Sequence, residues 1–130
     1  MTLTEIRNAV IKRMTAQAAM PASSVTYPND PTFEPSGKTI WARLTNLPSM
    51  ASAVEIGDGP VTHRSGIIII QLFVPVGSRS LLITETADKL RELFEWKTDG
   101  ALDYFAVSAV DAGETDGWSQ LNIQIPYRAL

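Results

Sequence analysis

The residues able to do chemistry are few, and their spacing does not assemble a reaction centre. His63 is the only imidazole, in His63-Arg64-Ser65. A nucleophilic serine needs a base and a defined turn, and neither Ser65 nor Ser78, in Gly77-Ser78-Arg79, fits the Gly-x-Ser-x-Gly elbow. There is no Gly-x-x-x-x-Gly-Lys phosphate loop, no Gly-x-Gly-x-x-Gly turn and no His-Glu-x-x-His pair. With no Cys, disulfides, thiol redox chemistry and thiolate zinc sites are excluded. Asp111, Glu114 and Asp116 invite a calcium reading, but Gly113 and Thr115 stand where the third and fifth ligands of an EF-hand-like loop would be. A solvated hairpin loop accounts for those acids. No cofactor and no metal is expected, and the chain reads as a protein without catalysis. Trp41, Trp96 and Trp118 suit partner anchors or core, and core packing is the simpler assignment for each.

Composition narrows the remaining classes. A chain of 130 residues, 45% of them hydrophobic, is read as one domain over 1–130. By general scaling it buries about 68% of its unfolded surface. Eleven basic against fourteen acidic residues give a net charge of −3, with no Lys/Arg cluster beyond Lys12-Arg13, so nucleic acid is not an expected partner. Residues 1–84 hold seven bases and five acids, and 85–130 hold four and nine; a solvated acidic half is the simpler account of this asymmetry, and head-to-tail docking of copies is the alternative. Charged residues make up 19%, below the roughly 25% usual for soluble domains, as a buried partner surface would require. The longest apolar run, Gly66 to Gly77, is broken by Gln71 and Pro75 and is shorter than the about 20 residues of a membrane span. The first residues lack the basic and apolar regions of a secretory signal, so synthesis and retention in a cytoplasm are expected.

The positioning elements follow from periodicity and breakers. Thr2-Leu3-Thr4-Glu5 fits a capping box, and Leu3, Ile6, Val10 and Met14 make one helical stripe, with Arg7, Lys12 and Arg13 placed on the wet side. That helix should extend through Ala16–Ala19 and stop at Met20-Pro21. Pro21, Pro28, Pro31 and Pro35 then predict a long loop to Gly37, anchored by Val25, Tyr27 and Phe33. Strands are predicted at Thr39–Leu44, Ala53–Ile56, Val61–Val74, Tyr104–Val110 and Trp118–Tyr127, with turns at Gly57-Asp58-Gly59-Pro60 and Asp111–Gly117. A second helix is predicted from Ser80 to Trp96, carrying Ile83, Ala87, Leu90 and Phe94 inward.

The long strand has apolar residues on both faces. Ile68, Ile70, Leu72 and Val74 share one face, and Ile67, Ile69 and Phe73 share the other with Gln71. A parallel doubly wound sheet would explain this, but the element order lacks βαβ alternation. The fold expected is therefore α+β: a single antiparallel-rich sheet of four to five strands packed against two helices. Its second face must be covered by a loop or by another subunit.

The ordered motifs resemble the tail-terminator, or tail-completion, proteins of long-tailed bacteriophages over nearly the whole chain. The resemblance rests on Ile6-Arg7-x-Ala9-Val10-Ile11-x-Arg13, Val25-Thr26-Tyr27-Pro28-Asn29 and Ile40-Trp41-Ala42-Arg43. It continues in Arg64-Ser65-Gly66, Ile70-Gln71-Leu72-Phe73-Val74-Pro75-Val76-Gly77, Ala87-Asp88 and Gly117-Trp118-Ser119-Gln120. The resemblance implies a non-enzymatic virion tail protein assembled in the host cytoplasm. It implies a ring, typically a hexamer, on the head-proximal end of the tail tube. Its partners would be other copies of itself, the tail tube protein and the head–tail connector.

Ring closure needs two different patches per subunit. The interface candidates are Ile67, Ile69, Gln71 and Phe73 on the second sheet face, Arg64 and Arg79 at the two ends of the long strand, Tyr27, and the acids Asp111, Glu114 and Asp116. Segments 21–37, 57–64 and 111–117 are expected to be mobile in a free, monomeric subunit and to order on assembly. Two other readings remain open: another phage neck protein seated on a connector, and a small α+β ligand-binding module with a pocket between helices and sheet.

Overall fold

A computed structural model describes residues 1–49, 52–53 and 62–130. The predicted Gly57–Pro60 turn and most of the predicted strand Ala53–Ile56 lie outside the described residues.

Helix α1 spans Leu3–Thr15 and begins as its sequence dictates. The Thr2 hydroxyl accepts from the Glu5 N–H at 3.1 Å, and the Glu5 carboxylate accepts from the Thr2 N–H at 3.1 Å, closing the capping box. The helix ends before Ala16–Ala19, where the Gln17 side-chain carbonyl instead takes the N–H groups of Ala19 and Met20. Helix α2 spans Leu81–Phe94 and stops two residues short of Trp96, which takes a φ of 59°.

Among the described residues eight strands form the sheet: β1 Val25–Thr26, β2 Trp41–Pro48, β3 Ser52–Ala53, β4 Thr62–Pro75, β5 Thr98–Asp99, β6 Leu102–Tyr104, β7 Ser108–Thr115 and β8 Trp118–Ala129. The order is β1-β2-β4-β8-β6-β5, with β3 beside β4 and β7 beside β8. The α+β class and the antiparallel bias hold, since only β1 against β2 is parallel, but there are more strands than the expected four to five. Two of the additional segments, β1 and β5, are two residues long, too short for periodicity to register.

The predicted strand Tyr104–Val110 is in fact two. β6 ends at Tyr104 and β7 starts at Ser108, both along the same edge of β8. The predicted loop Asp111–Gly117 is mostly strand. β7 continues to Thr115, and Asp116 (φ 52°) with Gly117 (φ 84°) makes the two-residue turn into β8. Two successive positive φ values match the twist of antiparallel strands, and Asp-Gly is among the pairs that adopt them readily.

Both helices pack on one face of the sheet. Ile6, Val10 and Met14 of α1 and Ile83, Ala87, Leu90 and Phe94 of α2 share one core with Ile68, Ile70, Leu72, Val74, Ile123 and Ile125. Gly66 is required within β4: a Cβ there would sit 2.8 Å from the Leu47 carbonyl and 2.7 Å from Cζ of Tyr127. The Tyr127 ring crosses the glycine, and its hydroxyl donates to Asn46 Oδ1 at 2.8 Å.

Arg13, read from the helical stripe as solvated, instead ties α1 to the far end of α2. Its guanidinium makes two bonds to the Asp99 carboxylate, 2.8 and 2.7 Å, and a third to the Leu93 carbonyl at 2.8 Å. Tyr104 donates to the same carboxylate at 2.9 Å. The Arg13 guanidinium holds Asp99 below the usual carboxylate range against the opposing effect of burial. Burial, reinforced by Asp99, pushes the Tyr104 hydroxyl strongly up.

Candidate assembly interface

The face of the sheet turned away from the helices can be followed row by row from the strand register. Trp41 lies beside Phe73 and Gln120; Arg43 beside Gln71, Asn122 and Val110; Thr45 beside Ile69, Gln124 and Ser108; Leu47 beside Ile67 and Pro126. These residues alternate with the core residues because successive strand side chains point to opposite faces.

The two ends of this face differ. At one end Phe73 is only 6% exposed. Trp41 stacks on it with centroids 4.0 Å apart, Trp118 meets Trp41 edge-on at 5.7 Å, and Phe33 reaches Trp41 from the Pro-rich segment at 5.2 Å. The Arg43 guanidinium lies 5.5 Å from the Trp41 centroid. Phe73 is thus covered by its own chain and is not a free contact residue. At the other end Ile67 is 40% and Leu47 51% exposed. Ile69 and Gln71, between the two ends, are half-buried.

The remaining candidates are spread around the sheet. Arg64 donates from Nε to the Met1 carbonyl at 3.0 Å and lines a cleft with Ser49, Ser65 and the start of α1. Arg79 (φ 70°) is exposed at the opposite end of β4 and shares a shallow cleft with Glu114. Arg64 and Arg79 do flank the long strand, but far apart. Tyr27 is half-buried against the core, and burial, with Asp30 nearby, pushes its hydroxyl up. Asp111, Glu114 and Asp116 are exposed on the β7–β8 hairpin, and Asp111 Oδ1 accepts from the Gly113 N–H at 2.8 Å. The hairpin therefore gathers the three acids, with Arg79 across a cleft from Glu114, while Arg64 lies apart from them.

Two features were not read from sequence. All eight residues of β7 are exposed, on both faces. The Asp116-Gly117 pair just before the alternating run of β8 is the signal for this hairpin. Trp96, assigned to the core, is 67% exposed and edge-on to Phe105 at 6.3 Å. Its place just past the last turn of α2, on a left-handed residue, carries it off the buried stripe.

Among the described residues no group of His, Asp and Glu is placed to hold a metal ion, and no helix is long and apolar enough to cross a membrane. What the site offers is surface: an open aliphatic row, an uncovered strand and an acidic turn. A family model described as phage tail terminator protein matches residues 5–127. The chain belongs to the phage tail terminator family. A tail terminator is a structural component of the virion tail. A solved structure with 20% sequence identity superimposes with a TM-score of 0.75, over 100% of this chain and 96% of that one, and so shares its fold. No curated protein matches the sequence.

Proposed function

We propose that this tail terminator closes the head-proximal end of the tail tube as a ring of copies, stops tube polymerisation and presents the surface on which the head connector seats. The observation that carries the reading is the open half of the outer sheet face. Leu47 and Ile67, exposed side by side in adjacent strands, form an apolar row that nothing in the described chain covers. Exposed apolar rows on tail components are suited to contacts with other subunits. No catalysis is invoked, because the work is geometric: an end plate that fits the tube rim leaves no rim for the next tube subunit.

Solution mass, alone and with purified tail tubes of the matching phage, tests this together with electron microscopy of tube ends. Rings on tube ends and a fixed tube length are expected. Binding to a head connector with no effect on tubes would make the chain a neck protein instead. A persistent monomer that ignores both would contradict the ring.

A further inference from the structure

We infer that copies of this chain join edge to edge, the free edge of β7 in one copy pairing antiparallel with the free edge of β2 in the next, so that one sheet runs continuously from subunit to subunit. The inference rests on the ring reading above and names the surfaces that would make the ring.

Four consecutive strands, β2, β4, β8 and β7, are antiparallel to their neighbours, and among the described residues the outer two each keep an unpaired edge. Among the described residues β1 covers β2 only at Ala42 and Arg43, leaving Leu44–Pro48 open, and no strand lies beyond β7. Unpaired edges are normally blunted by charges, bulges or covering elements. Here the distal half of β7 is blunted, by Asp111, Glu114 and an irregularity between Asp111 and Gly113. Ser108-Ala109-Val110 and Leu44-Thr45-Asn46-Leu47 carry no charge at all. The unguarded stretches are thus one on each side of the sheet.

Direction and register agree with this pairing. β7 runs opposite to β2, so a neighbour related by rotation about an axis along the strands brings its β7 antiparallel to β2, with two different patches meeting as a closing ring requires. A continuous sheet must keep outer residues opposite outer residues, and a one-residue slip would reverse every side chain. Thr45 and Leu47 share the outer face with Ser108 and Val110, so the allowed pairings set Val110 opposite Thr45 or Leu47.

The inner face supplies charge complementarity. Ala109 and Asp111 point to that face, and beside the open edge of β2 lies a cleft of about 250 Å³ lined by Arg7, Val10, Ile11, Pro28, Leu44 and Asn46. Arg7 is the one charged residue of that lining, and its guanidinium bonds only to Asn8 Oδ1, at 2.9 Å, among the described residues. The paired strand would direct the neighbour's Asp111 carboxylate toward this arginine.

The chain contains no Cys, so introduced thiols report on pairing without background. Opposed outer-face positions in a ladder bring Cα atoms to about 4.5–5.5 Å, within disulfide reach. Oxidising T45C/V110C and L47C/V110C variants on tail tubes should give covalent multimers up to ring size from at least one pair. T45C/A109C, which opposes the two faces, should not cross-link. Arg7→Glu and Asp111→Lys should each lower ring yield at least tenfold, and R7E/D111K, which restores the pair at every contact, should recover it. Rings that form without outer-face cross-links, and that the reversed pair does not rescue, would overturn this interface while leaving the ring reading standing. Wild-type chain that forms no ring on tubes would overturn both.

Discussion

The outer face of β4 carries one pattern along its length and two outcomes. Toward Phe73 the chain supplies its own cover, with Trp41, Phe33 and Trp118 closing an aromatic cluster. Toward Ile67 the described residues supply none, and Leu47 and Ile67 remain exposed. The same alternation of apolar residues therefore means core at one end and surface at the other. What separates them is whether a loop distant in sequence folds over the strand.

The comparison can be broken first at its covered end. Phe73→Ala removes a buried ring from the stack and should cost about 3–5 kcal/mol, read by urea denaturation. A cost near zero would mean that the aromatic cluster does not cover the strand. Arg13→Ala cuts the tie between α1 and Asp99 and should cost on the order of 2 kcal/mol in the same assay, the range for hydrogen bonds to charged groups. The pair also sets an acid dependence. Asp99 titrates below its unfolded range of about 3.9, so its contribution is present above that range and is lost as pH falls through the lowered native value. Asp99→Asn should flatten the fall in melting temperature below about pH 4 relative to wild type. Phe33→Ala, which trims the cover from its half-buried outer side, should cost about 1 kcal/mol, the scale of one aromatic contact. Smallest of all in stability is Ile67→Lys at the open end, expected within about 0.5 kcal/mol of wild type because its side chain is already partly in water.

Much of this division was legible in the residues, and the reasons for the rest are physical. The capping box, both helical stripes and the two-sided β4 pattern were readable because each is a local periodicity that burial enforces. The register between Trp41 and Phe73 was not, because contact between strands depends on pairing, which spacing within one strand does not encode. Phe33 was readable as an anchor of the Pro-rich segment but not as the cover of Trp41. The far half of β7, Asp111–Thr115, escaped because a strand exposed on both faces has no hydrophobic alternation to display; only the Asp116-Gly117 turn marks it. Arg13 read as solvated because the helical stripe places charges without knowing that Asp99 arrives from another element. Among the candidate interface residues, Ile67 and the three hairpin acids are at the surface, whereas Phe73 belongs to the aromatic cluster.

The most direct test of the account measures tail-tube length and tube-end occupancy by electron microscopy for wild type and Ile67→Lys, alongside their melting temperatures. The account predicts equal melting temperatures, capped tubes of uniform length with wild type, and uncapped tubes of scattered length with the variant. A folded Ile67→Lys protein that still caps tubes at uniform length would contradict the claim that the open end of this face is where the terminator assembles.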